Sequence, residues 1–346
     1  MRMKLPNYPA ALLAVATLLV QSALAKDWVV YAGQEGPGKG KHIVFLAGDE
    51  EYRSEEGLPA LAKILAARHG FKCTVVFSIN QEGEIDPNTK NHQPGIEALD
   101  SADLCVMLLR FREWPDAQMK HFVDYYLAGK PILALRTSTH AFAYAGNSTS
   151  AYKKFHWQSK EWPQGFGKQV LGETWVSHWG NHKKEATRGI IEPAAKDHPI
   201  LTGVTEVFGD SDVYEAHPPA DAKVLVWGEV LKGMKPNDPP ADYKKKTVKG
   251  VEQPVNNPMQ PVVWVRAPKN AAGKVNKVVT TTMGSSTDLQ DEGLRRLLVN
   301  AAFWAVGLEK EISPKASVNF IGDFQATMYG FNGGKKGVKP ADLELK

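Results

Sequence analysis

The sequence predicts an α/β fold built on an open, doubly wound parallel sheet. Three observations carry that expectation. Runs that are apolar almost throughout recur between residues 42 and 135, amphipathic helical stretches lie between them, and polar residues gather where the runs end. Strands buried on both faces read as unbroken apolar runs, and the helices that cover them supply the alternation. Such crossovers are right-handed, and an open sheet of this class places its crevice at the carboxyl ends of its strands.

The first strand is expected over residues 42–48 (HIVFLAG), followed at once by Asp49, Glu50, Glu51 and Arg53. Leu58, Leu61, Ala62, Leu65 and Ala66 then recur at helical spacing and stop at His69-Gly70, where glycine suits a helix end. Residues 71–78 and 104–109 give two more strands, the latter followed by Arg110 and Arg112. Pro115 opens a helix with Met119, Phe122, Val123 and Tyr126 on one face, closed at Gly129. A fourth strand, 131–135, leads into Arg136, Thr137, Ser138 and His140.

The periodicity fails between about 145 and 188. That stretch holds Trp157, Trp162, Trp175 and Trp179, and is read as an aromatic-rich insertion or lid because linkers are not aromatic-rich. Strand-like runs resume at 189–192, 213–215, 223–227, 261–266 and 277–282, interrupted by a Pro- and Lys-rich loop at roughly 232–258. Residues 291–307 are the clearest helix, with Leu294, Leu297, Leu298, Ala301 and Trp304 on one stripe. The domain is placed at 41–310, after a Gly-rich spacer at 26–40. A tail at 311–346 is expected to fray or drape over the surface. No internal repeat is present.

Residues 1–25 have the form of a secretory leader. Arg2 and Lys4 precede an apolar run, and Ala23-Leu24-Ala25 ends it with the small-x-small pattern of a cleavage site. The run is too short for a permanent span. The mature protein is expected in the periplasm or outside the cell, with no membrane attachment. Of 346 residues, 42 are Lys or Arg and 38 are Asp or Glu, a net charge of +4 without a basic, aromatic-interleaved surface, which argues against nucleic acid. Lys244, Lys245 and Lys246 read as a solvated loop. Two cysteines, Cys73 and Cys105, exclude a disulfide scaffold or a Cys-rich zinc module. Buried thiols are the expected state. The alternative, a disulfide, needs Cα atoms within about 7 Å, and the topology puts the two strands on either side of a third.

Several residues suit chemistry. Asp49 and Glu51 could act as acid and base if their surroundings separate their pKa values. A helix N-terminus would also attract them. Arg110, Arg112 and Arg136 could orient an anionic or hydroxyl-rich ligand, or pair with these acids. Ser138 and His140 stand too close in sequence to face each other as nucleophile and base, so ligand contact or turn support is expected. His178 and His182 could bind a divalent metal, completed by Asp210, Asp212 or Glu215, or one of them could move protons. Asp212 and Tyr214 are candidates for sugar hydroxyls, Asp288 for a helix cap, and the insertion's tryptophans for stacking on sugar rings.

Taken in order, HIVFLAGDEEYR, LRFREWPDAQMKHFVDYYLAGKPILALRTSTHAF, LGETWVSHWGNH, KDHPILTGV, GDSDVYEA, PVVWVR and VVTTTMGSSTDLQDEGLRRLLVNAAFWAVG resemble the ThuA-like (trehalose-utilisation) family. The resemblance runs over roughly 40–308. It implies membership of the class I glutamine amidotransferase-like superfamily, a flavodoxin-like sheet, and a role in carbohydrate catabolism, with sugars or 3-keto-sugars as substrates. Isomerase, lyase and hydrolase chemistry all fit that role. A non-catalytic sugar-binding or scaffold subunit is the alternative, and a homo-oligomer stays open. No Cys stands on the turn 135–139, so amidotransferase chemistry is not expected. Arg136 replaces the family's frequent His there, and Ser285-Ser286 follow Gly284 where a His is common.

Overall fold

The computed structural model describes residues 26–345. The leader proposed for 1–25 lies outside them. Fourteen strands and three α-helices are present among the described residues: β1 (Trp28–Tyr31), β2 (His42–Gly48), α1 (Ser54–His69), β3 (Lys72–Phe77), β4 (Leu104–Leu109), α2 (Asp116–Leu127), β5 (Ile132–Leu135), β6 (Ser177–His178), β7 (Thr187–Ile191), β8 (Val207–Gly209), β9 (Tyr214–Glu215), β10 (Lys223–Val230), β11 (Lys244–Lys246), β12 (Glu252–Pro254), β13 (Gln260–Arg266), β14 (Val278–Thr281) and α3 (Glu292–Ala305).

The main sheet runs β1-β3-β2-β4-β5-β14-β13-β10-β7-β8. Its middle, β3-β2-β4-β5-β14, is parallel throughout. Numbered by those five strands alone, the order is 2-1-3-4-5, which is flavodoxin-like. Beyond β14 the sheet continues antiparallel through β13, β10, β7 and β8. Every residue of β2, β4 and β5 is buried, as continuous apolar runs require.

Helices cover both faces. On one, α1 and α3 pack Leu58, Leu61, Leu65, Leu294, Leu297 and Leu298 onto Ile43, Phe45 and Val75. On the other, Met119 and Phe122 of α2 meet Val44, Cys105 and Met107. Gly70 ends α1 at φ 81°, donating its amide to Ala66 O at 3.1 Å. Asp291 caps α3 by accepting from Leu294 N at 2.7 Å, a cap of about 1 kcal/mol. Asp288 does not cap that helix. Its buried carboxylate accepts from the amides of Ser211, Gly284 and Ser285 and ties β8's exit to the loop after β14.

Cys73 and Cys105 are free and fully buried. They flank β2, Cys73 opposite Ile43 and Cys105 opposite Val44. This register sends them into the two different cores, so a bond between them has no geometry.

Two segments depart from expectation, and the tail takes one of the two forms expected of it. The spacer contains β1, an edge strand antiparallel to β3. Its four residues are too few for a periodic signal. The Lys244–Lys246 run is one strand of a hairpin, and Lys245 donates to the carbonyls of His178 and Trp179 at 2.8 Å. The tail drapes along α1 and is tied down at many points. Val318 O accepts from Arg295, Thr327 bonds Glu56, Gly330 N bonds Glu51 O, and Leu343 O accepts from Tyr31.

Candidate functional site

The carboxyl ends of β2, β4 and β5 bring three loops together, and β6 and β9 arrive over them. Ser177 and His178 pair with Glu215 and Tyr214. This short bridge places the His-x3-His segment beside Asp212. His178 Nδ1 lies 2.7 Å from one Asp212 oxygen, and His182 Nδ1 lies 2.9 Å from the other. The imidazoles stand 4.7 Å apart between ring centres. Asp212 itself has no exposed surface, while the side chains of His178 and His182 are 36% and 25% exposed. A buried carboxylate thus holds two imidazoles at the protein surface.

Arg136 fixes that carboxylate. It follows β5 at φ 44°, in the left-handed region, so the chain turns sharply as it leaves the strand. The guanidinium is fully buried and donates to Asp212 Oδ1 at 2.9 Å, to the Asp212 and Thr282 carbonyls, and to Tyr52 Oη. The rings of Tyr52 and Tyr214 sandwich it at 4.5 and 3.9 Å. Burial works to raise the Asp212 pKa, but Arg136 and the two imidazoles hold it well below the usual carboxylate range.

His182 faces carboxylates with both nitrogens, Asp212 through Nδ1 and Glu51 through Nε2 at 3.3 Å. Both nitrogens must donate, so the hydrogen bonds to Asp212 and Glu51 push its pKa up to about 9. Glu51 is correspondingly lowered. Burial opposes ionisation there, and the hydrogen bond from His182 and the charge of Arg110 outweigh it. His182 is therefore a fixed cation and Glu51 its counter-ion.

The other candidates separate into walls and scaffold. Asp49 is fully buried. It accepts from Thr137 and, at 2.6 Å each, from the amides of Glu51 and Tyr52. Burial, then the charge of Glu50, raises it to about 6. It shapes the loop and has no exposed surface. Arg112 faces inward, not toward the crevice. It is wholly buried and bonds Glu50 and the carbonyls of Pro87, Thr89 and Arg110. Ser138 is buried too, bridging Met107 O and Leu109 N. Arg136 serves the site through Asp212 and has no surface to offer a ligand, and Tyr214, buried against it, shares that positioning role. Arg110 remains near the opening, 2.6 Å from Glu50 and stacked on Phe111. His140 lines an aromatic wall with Phe111, Trp157 and Trp175. Burial, then the charges of Arg110 and Arg136, hold it neutral.

Sequence reasoning missed Tyr52 and Tyr329. Tyr329 stacks on Tyr52 at 5.1 Å, approaches His182 at 5.4 Å and donates to Asp210 O at 3.0 Å. The available signal was the aromatic content of the tail, Phe320, Phe324, Tyr329 and Phe331, the same cue that marked the insertion.

Among the described residues, one group has donors clustered for a metal ion: His178, His182 and Asp212, within 4.8 Å of one another. The donor types suit zinc. Against them stands Arg136, which occupies Asp212 Oδ1 and places a buried positive charge beside any dication.

No family model matches the chain, and no curated protein matches it. Among solved structures it is similar to a protein of Bacteroides uniformis described as ThuA-like, at 15% identity and TM-score 0.46, over 81% of this chain and 96% of that one. A second, from Parabacteroides merdae and described in the same way, has 15% identity and TM-score 0.47, over 85% and 98%. The fold assignment rests on the strand order described above.

Proposed function

We propose that this chain is an exported ThuA-like protein that acts on a sugar or 3-keto-sugar by acid/base chemistry centred on His178. The observation that carries the reading is the single buried carboxylate, Asp212, holding two partly exposed imidazoles at the carboxyl end of the sheet. Asp212 accepts from His178 Nδ1, so the lone pair sits on Nε2, which has no protein partner among the described residues. That arrangement suits a general base.

On a keto-sugar, Nε2 takes the proton from the carbon next to the carbonyl. The electron pair moves onto the carbonyl oxygen, and the charge of His182 stabilises the enediolate. Passage of a proton from the neighbouring hydroxyl to the former carbonyl oxygen, with return of the carbon-bound proton to the former carbonyl carbon, gives an isomer. Expelling an oxygen substituent from the β-carbon gives lyase cleavage. Four candidates for proton transfer, Asp49, Glu51, His178 and His182, thereby reduce to one mover and one fixed cation. Asp49 and Glu51 support them.

The test is a proton NMR time course of the chain from residue 26 onward with disaccharides and 3-keto-glycosides, with and without EDTA. Product peaks that vanish in His178→Gln are the expected result. Line broadening without products would make the protein a sugar-binding or scaffold subunit. The clustered donors favour a second reading, a divalent-metal hydrolase. Loss of activity in EDTA, restored by zinc, would select it.

A further inference from the structure

Beside the His178 centre the insertion forms a cleft of about 670 Å³, lined by Trp157, Gln158, Lys160, Gln164, Trp175 and Val248 among others. Its rings lead into the site. Trp157 lies 6.3 Å from Trp175, and Trp175 lies 5.8 Å from His178. Trp157 is fixed by its backbone, its amide donating to Phe142 O and its carbonyl accepting from Thr174 Oγ1. The loop at the rim is closed tightly. Gly165 takes φ 56°, and a Cβ there would fall 2.1 Å from His156 O.

The cleft's polar groups are unassigned. Trp114, Trp179, Trp227 and Trp264 each donate their indole N–H to a protein acceptor. Those of Trp157 and Trp175 have no acceptor among the described residues, and neither is both buried and unsatisfied. Gln158, Lys160 and Gln164 likewise carry side-chain donors on the exposed rim with no partner among the described residues. Flat apolar faces with free donors beside them match a pyranose, which has C–H faces and an equatorial ring of hydroxyls.

We propose that this cleft is a subsite for a second sugar ring, so that the substrate is at least a disaccharide or glycoside, one ring on Trp157 and Trp175 and the reacting ring at His178. Only the choice of reacting ring rests on the acid/base reading. The cleft itself stands on the tryptophans. A ring held there would be positioned for the neighbouring chemistry without taking part in it.

The test is tryptophan fluorescence and calorimetry with cellobiose, maltose and trehalose, against glucose as the single-ring control. The expected result is disaccharide binding that quenches or shifts the emission and weakens at least about 10-fold in Trp157→Ala, with glucose bound equally by both proteins. Trp157→Phe, which preserves the wall, should recover part of the loss. Disaccharide affinity unchanged in both Trp157→Ala and Trp175→Ala would overturn the subsite, as would no response from any of the three up to about 50 mM, weaker than millimolar binding. The two readings fail separately. Tryptophan-dependent binding without turnover sinks the His178 chemistry and keeps the cleft, while turnover indifferent to the tryptophans does the reverse.

Discussion

Two buried arginine–carboxylate pairs sit at the same end of the sheet, their arginines after the neighbouring strands β4 and β5, and they do different work. Arg112 with Glu50 and Arg136 with Asp212 both have a fully buried guanidinium and a bond of about 3 Å to the acid. Around Arg112 the remaining donors go to loop carbonyls and to Ser78, and Glu50 goes on, among the described residues, to Arg110 and Lys90. Around Arg136 the carboxylate continues outward, one oxygen to each imidazole. A buried ion pair is scaffold when its acid goes on to nothing but more Arg and Lys. It becomes part of a site when the acid holds an imidazole whose second nitrogen is left without a protein partner among the described residues.

The sharpest way to break this contrast is Asp212→Asn beside Glu50→Gln. Asp212→Asn should lower kcat by at least about 10³-fold, because the amide no longer fixes the His178 tautomer. Steady-state rates on whichever substrate the NMR screen identifies would check it. Glu50→Gln should leave kcat within a few-fold and instead cost stability, about 3–5 kcal/mol by urea denaturation, because Arg112 is left buried and uncompensated. Equal losses of activity in the two variants would dissolve the distinction.

A smaller effect concerns Asp49. Its pKa is raised in the fold to about 6, first by burial and then by Glu50, against about 3.9 unfolded. Its contribution is therefore fully present below the unfolded value and is lost as pH rises through 6. Asp49→Asn mimics the protonated acid, since the amide oxygen can still accept from Glu51 and Tyr52 while its NH₂ faces Thr137. Its stability relative to the parent should rise by about 3 kcal/mol on going from acidic to neutral pH, read as a difference in Tm. A difference independent of pH would show that the fold leaves the Asp49 pKa at its unfolded value. Smallest is Tyr329→Phe, which removes one hydrogen bond to Asp210 O and should cost about 1 kcal/mol with little change in rate.

The parallel half of the sheet was legible because strands covered on both faces leave no polar alternation. The clearest helix was legible from its Leu stripe, but its cap was expected at Asp288 and is made by Asp291. The His-x3-His spacing and the GDSD segment marked the two halves of the site, and Asp212 was among the acids expected to join them. Other features were not legible. A strand end does not reveal which way its side chain turns, so Arg110, Arg112 and Arg136 look alike in sequence, yet only Arg110 reaches the opening. Ser138 turned inward for the same reason. Tyr329 was hidden because it belongs to a segment without periodicity, and its position depends on the whole chain having folded beneath it.

The tail has a consequence in time. Thr327 reaches Glu56 across 271 positions, and with it Tyr329 comes to rest on Tyr52 and His182. Contacts between such distant parts of a chain close a large loop and form late. The sheet and the Asp212 centre can assemble before this wall arrives. The last face of the site therefore comes from a segment that follows every strand of the sheet, and it is in place only where Thr327 and Tyr329 have docked.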